Sequence, residues 1–552
     1  MVRAALLAVG LCAWSSPAWA VCEGLTTDDA VLCLIDQVNL LQTDLAATQD
    51  ELVTTQADLA DAQDSIALVE IDLGALGAEL DALAATVATL VVADLGALAD
   101  YLTVDTFTNS VIFEGANVYV RSGSGATDGR VNGLGNLIIG YGEDKSYFGS
   151  DVSTDRSGSH NLVVGGGASY TSFGGVVAGL LNDVMGSWAS VTGGQSNVAV
   201  GVASSVSGGT SNFVIGKNGS VSGGELNQAS GEHSAVSGGS ENVASGKGSS
   251  VSGGNENIAS GVASSVSGGN TNEASRLNSS VAGGAFNVAS GKGSVVSGGS
   301  HNTASGLQSS VSGGTDNSAT GSRSAVSGGE FNEASGQASA VSGGDGNVAS
   351  AVDSSVSGGL GNEASGLISS VSGGSGNVAS GLESSVSGGL VNEASGGFSS
   401  VSGGETNVAS GDRSTVSGGG DNIASGFASS VSGGDTNVAS GDHSAVSGGG
   451  DNVASEMKSS VSGGVDNEAS GELSSVSGGD HNIASGVASS VVGGFANIAS
   501  ATDSAVSGGE ANLASGSSSS VSGGIGNEAS GQGSSILGGS SVQLSGSFTT
   551  SP

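Results

Sequence analysis

Across residues 191–536 a unit of 15 residues, V-S-G-G-x-x-N-x-A-S-G-x-x-S-S, recurs 24 times without insertion or deletion. Nothing else in the chain constrains its fold as tightly, because an interval that never slips gives every copy the same place in a stack. Helical units are excluded: two adjacent Gly and several Ser per 15 residues would cost too much helix propensity. The unit is therefore a β coil. With places numbered 1 to 15 from the Val, period-two reading of Ser-Val-Ser-Gly-Gly turns Val inward and its flanking Ser outward. The same reading of Asn-x-Ala-Ser-Gly puts Asn and Ala on one face. Each coil then gives its interior one Val, one Ala and one Asn. The Gly pair supplies positive φ for a tight turn.

The Asn at place 7 runs from Asn197, Asn212, Asn227, Asn242, Asn257, Asn272 and Asn287 on to Asn527, and gives way to Val542 only in the last copy. An amide recurring at a bend predicts a ladder in which each side chain bonds its neighbours in the stack and the turn backbone. With strands about 4.8 Å apart, 24 coils make a rod of roughly 115 Å. One Val and one Ala are little apolar burial for 15 ordered residues, so a lone coil is marginal and lateral association is the expected remedy.

Ahead of the array, residues 103–190 read as an irregular β neck with the first degenerate coils. β-type runs fall at 110–113, 117–121, 136–141 and 161–165, and residues 176–190, with Gly179 and Asn182, are an imperfect earlier copy of the unit. Most aromatic residues after the first 20 lie here or nearby, from Tyr101 to Trp188, which suits a cap over the first coils. Residues 540–552 read as a C-terminal cap or tail after an array spanning 191–539.

Residues 34–102 carry apolar residues stepping by four and three, the seam of a coiled-coil stalk. It includes Val38, Leu41, Leu45, Leu52, Leu59, Ile66, Leu73 and Leu80. The register slips near Asp94 and resumes at Leu95, Leu98 and Leu102. The unbroken part of the seam, residues 34–90, would be roughly 85 Å long at about 1.5 Å per residue. Acidic residues fill most g positions and Gln the e positions, and no Lys or Arg occurs between Arg3 and Arg121. Like charges along such a bundle predict that it tightens as salt is added.

Residues 1–20 read as a secretory signal peptide: Arg3, an apolar stretch, Pro17 and the Ala18-Trp19-Ala20 cleavage site. Residues 21–33 then hold Cys22 and Cys33, disulfide candidates in an oxidising compartment, within one chain or between chains. No later stretch is long and apolar enough for a membrane helix. The expected location is extracellular or at a bacterial cell surface.

Composition excludes several functions. The chain carries 12 Lys and Arg against 51 Asp and Glu, a formal charge of -39, which repels nucleic acid and anionic membranes. Aromatic residues make up 3%, too few for an ordinary enzyme core. The Ser residues are repeat positions, the five His are scattered, and the Gly pairs lack the Lys and Ser/Thr of a phosphate loop, so no catalytic site, cofactor or metal site is expected. Asp421, Asp435, Asp451, Asp466 and Asp480, at the two places before the Asn, make a solvated edge that keeps rods apart. Weak cation binding there is the alternative.

Ser-Val-Ser-Gly-Gly-x-x-Asn-x-Ala-Ser-Gly coils joined to a coiled coil resemble the left-handed parallel β-roll heads of trimeric autotransporter adhesins of the YadA-like type, over about residues 136–536. The resemblance implies three parallel chains, a head that adheres to surfaces or matrix proteins, and no catalysis. Three features depart from that family: Val-Ser-Gly-Gly stands where Val-Ala-Ile-Gly is commoner, the coiled coil precedes the head, and no membrane barrel follows. The expected architecture is a mostly β, parallel left-handed solenoid of 15-residue coils behind an N-terminal α-helical coiled coil, assembled as a homotrimer. The expected function is that of a non-catalytic adhesin-like or structural rod with an unknown surface or matrix ligand; an ice- or ligand-binding β-solenoid is the alternative.

Overall fold

The structure, a computed structural model, describes residues 27–90 and 100–552. It divides into two compact units, residues 1–119 and 120–552. In the first, helix α1 (Thr27–Leu90) runs for 64 residues, with Asp28 and Asp29 in its first turn, where the helix dipole favours negative charge. It starts earlier than the heptad pattern predicts. Cys33 therefore lies inside the helix, where it is disulfide-bonded. Cys22 lies outside the described residues.

The expected stalk end also differs. Leu95 and Leu98 fall outside the described residues, and Leu102 opens strand β1 (Leu102–Asp105), paired antiparallel with β2 (Ser110–Phe113). The cause is local: Asp105 nucleates a turn by accepting hydrogen bonds from the Phe107 amide (2.8 Å), the Thr108 amide (3.2 Å) and the Thr108 hydroxyl (2.7 Å). The Thr108 hydroxyl, followed by the two amides, holds the Asp105 carboxyl below its usual range.

The second unit is a parallel β-solenoid of 15-residue coils, about 26 turns in all. Within the array each coil gives a Ser-Val strand to one sheet and an x-Ala strand to the other, and each strand pairs in register with its counterpart 15 residues away, as Ser250 does with Ser265 and Ile258 with Glu273. A third line of bridges joins place 5 of successive coils, as in Asn255 with Asn270.

The Ser-Val sheet reaches back through β3 (Leu137–Ile139), β4 (Leu162–Gly166) and β6 (Val176–Leu180). The x-Ala sheet starts at β5 (Ser169–Tyr170) and β7 (Asp183–Val184). The runs at 136–141 and 161–165 are thus coils of the solenoid itself. Residues 117–121 form no strand, in contrast to the sequence reading, and no strand pairs with them. Between β3 and β4 the chain makes an excursion whose short 3-10 helix, Lys145–Phe148, buries Lys145 in an ion pair with Asp183 at 2.7 Å. At the other end the solenoid continues beyond 539 with strands Gln543–Leu544 and Thr550–Ser551, so residues 540–552 complete the last coil. There Val542 and Leu544 replace Asn and Ala and pack, half-buried, over the end of the core.

Candidate functional site

The alternation read from the sequence holds throughout the array. Val at place 1, Asn at place 7 and Ala at place 9 are at most 1% exposed. The Asn ladder is complete in its bonding. The Asn257 amide donates to Asn242 Oδ1 (3.0 Å), and Asn257 Nδ2 donates to Asn242 Oδ1 (3.1 Å), Gly253 O (3.0 Å) and Gly269 O (2.9 Å). Each amide therefore ties its own turn to the coils on both sides. The ladder begins at Asn182, whose Oδ1 accepts the Asn197 amide at 2.7 Å.

A second buried polar column was not anticipated. Ser at place 14 is buried, as at Ser264, which donates to Gly261 O at 2.7 Å. Its sequence signal lies in invariance: place 14 is Ser in nearly every copy, whereas the neighbouring place 15 also takes Ala, Thr and Val. The column also repairs the backbone. Gly261 at place 11 donates its amide to Ala274 O (3.2 Å), but where Arg276 replaces Gly the amide donates to Ser279 Oγ (3.0 Å) instead.

Only the second Gly of each pair adopts a turn-forming positive φ. Gly254 has φ 89°, and a Cβ there would lie 2.5 Å from Asn257 Nδ2 and against the Gly269 carbonyl. The other left-handed positions, places 6 and 13, mostly carry side chains, including the poorly suited Val391 (φ 54°) and Ile368 (φ 59°). Strain kept at exposed, variable positions directs attention to what those side chains do.

Places 5 and 6 form one edge of the solenoid and places 11 to 13 the other, and charge is segregated between them. Places 5 and 6 hold thirteen Asp and Glu and no Lys or Arg. All seven Lys and Arg of the array stand at places 11 to 13, among eight acidic residues. On that mixed edge the Arg413 guanidinium lies 5.5 Å from the Phe427 ring centre and 6.0 Å from that of Phe398. On the acidic edge His481 bonds Asp480 through Nδ1 (2.6 Å) and lies 3.5 Å from Asp466, and the Asp480 bond raises its pKa. Asp466, Asp480 and His481 bring donor atoms within 4.8 Å of one another, on the exposed edge the sequence had marked as acidic.

The seam residues of α1 are largely in solvent: Leu41, Leu45, Leu52, Leu59 and Leu73 are each more than half exposed, as is Ile66, with Val38 at 47%. Among the described residues no helix is long and apolar enough to cross a membrane. No protein-family model matches the chain, and no curated protein matches it either.

Proposed function

We propose that the chain is an exported, non-catalytic homotrimer in which α1 forms a coiled-coil stalk and the solenoid, a left-handed β-roll, is displayed at the cell surface or beyond as an adhesive or structural rod. The observation that carries this reading is the strict division of each coil. Interior places are nearly invariant, while the places free to vary are the turn tips and the outward place 8 of the x-Ala sheet, held at regular intervals on a rigid stack. A surface presented many times over suits multivalent contact with an extended partner such as a cell surface or matrix, where weak contacts sum to strong attachment. The exposed apolar stripe of α1 supports assembly through that helix. Light scattering of the secreted chain with and without reductant tests the assembly: a mass of three chains is expected in both, and a mass of one chain overturns it. Mass spectrometry of the secreted form should place its N-terminus at Val21.

A further inference from the structure

The outer face of the Ser-Val sheet differs from every other side of the solenoid. It is built from places 15, 2 and 3: Ser250, Ser252 and Gly253 in one coil, Ser370, Ser372 and Gly373 in another. Place 2 is exposed and places 15 and 3 partly so. Across 24 coils these three places hold no Asp, Glu, Lys or Arg and almost nothing larger than Ser. The outer face of the x-Ala sheet, by comparison, carries Glu at place 8 in six coils, and both edges are charged.

The packing of a single chain does not call for this restriction. A Cβ built on Gly253 or Gly373 meets no atom within 4 Å, so larger side chains would have open space there. An exposed surface of a chain with charge -39 would be expected to carry its share of Asp and Glu. We propose that this uncharged face is where copies of the chain pack side by side along the solenoid, a conclusion that rests on the homo-oligomeric reading above.

Charge selects the occupant. A basic partner would be drawn to the acidic edge and gains nothing on a face without charge, whereas a second copy is itself strongly acidic and is repelled from the acidic edge and the Glu-bearing sheet. The face left free of charge is the one on which a like-charged copy can rest. Small side chains also let sheets approach closely, with Ser hydroxyls able to bond across the gap. Copies joined through the exposed stripe of α1 would hold their solenoids at high effective concentration, so each coil need add little.

Thiol labelling of the full-length chain tests this. Ser372 and Ser380 are both exposed in the single chain but lie on opposite sheets. In the assembled protein, Ser372→Cys should react with a bulky maleimide about tenfold more slowly than Ser380→Cys, through protection by the neighbouring copy. Equal rates at the two positions, or slower reaction at Ser380→Cys, in a protein whose mass shows several chains would overturn the assignment of the face and leave the assembly standing. A mass of one chain overturns the assembly, and the face with it. Ser370→Cys provides a second probe of the protected side.

Discussion

At the scale of single residues, the interior tolerates little because each side chain meets its own copies. Asn257→Ala would leave the Asn272 amide and the Gly253 carbonyl short of a partner inside the stack. Buried unpaired groups of this kind cost about 1–3 kcal/mol each, so the coils around 257 should lose protection in hydrogen exchange while distant coils keep theirs. Unchanged exchange near 257 would show that the ladder contributes little. A compensated pair tests packing in the same way. Place 9 is Val214 instead of Ala in one coil, and the nearby place 14 is Gly219 instead of Ser, where a Cβ would sit 2.9 Å from Val214 Cγ1. Gly219→Ser alone should destabilise its coil by about 1–3 kcal/mol through overpacking. Joined to Val214→Ala it restores the consensus core, and the two effects should couple by about 1 kcal/mol or more; simple additivity in hydrogen exchange would refute the trade.

At the scale of elements, the coil is the unit that can be added or removed. Deleting residues 341–355 joins Ala340 to Val356 and keeps every place in register, because strands pair only with copies 15 residues away. That variant should keep its β circular dichroism and resist proteolysis as the parent does. Deleting Val348 alone should expose a cleavage site nearby, since a one-residue slip turns the buried Ala outward; equal resistance in both variants would mean that register is not enforced coil by coil.

The same logic explains what the sequence made legible. Period 15 and the inward Val, Ala and Asn were readable because one arrangement is printed 24 times. The buried Ser at place 14 was missed because a small polar side chain carries no apolar signal, although alternation from the inward Val points it inward and its constancy beside the variable place 15 marks it. The first coils were masked by the excursion holding Lys145 and by the 14-residue steps that follow it, both of which break the interval. Leu102 fits the apolar spacing of the helix, yet the side chain of Asp105 bends the following residues into a hairpin. Charge segregation between the edges became visible only once the two turns of each coil were known to lie on different sides.

At the scale of the whole molecule, the abundance of Gly, 101 residues, reflects turn positions multiplied along a stack, and the charge of -39 is the quantity that the proposed assembly must overcome. Acidic residues stand on three sides of the solenoid and along α1, and the first 120 residues contain no basic side chain after Arg3. Copies brought together therefore repel over a distance set by the screening length, about 30 Å at about 0.01 M salt and about 10 Å at about 0.1 M. Apolar contacts along the stripe of α1 do not weaken as salt rises, whereas the repulsion between copies does. Added salt should accordingly strengthen assembly, in contrast to a bundle held by salt bridges. Sedimentation at the two salt concentrations should show the larger mass, and helix melting the higher midpoint, at about 0.1 M. A midpoint that falls steadily as salt is added would mean that attraction between opposite charges holds the chains together, for which α1 offers no basic partner.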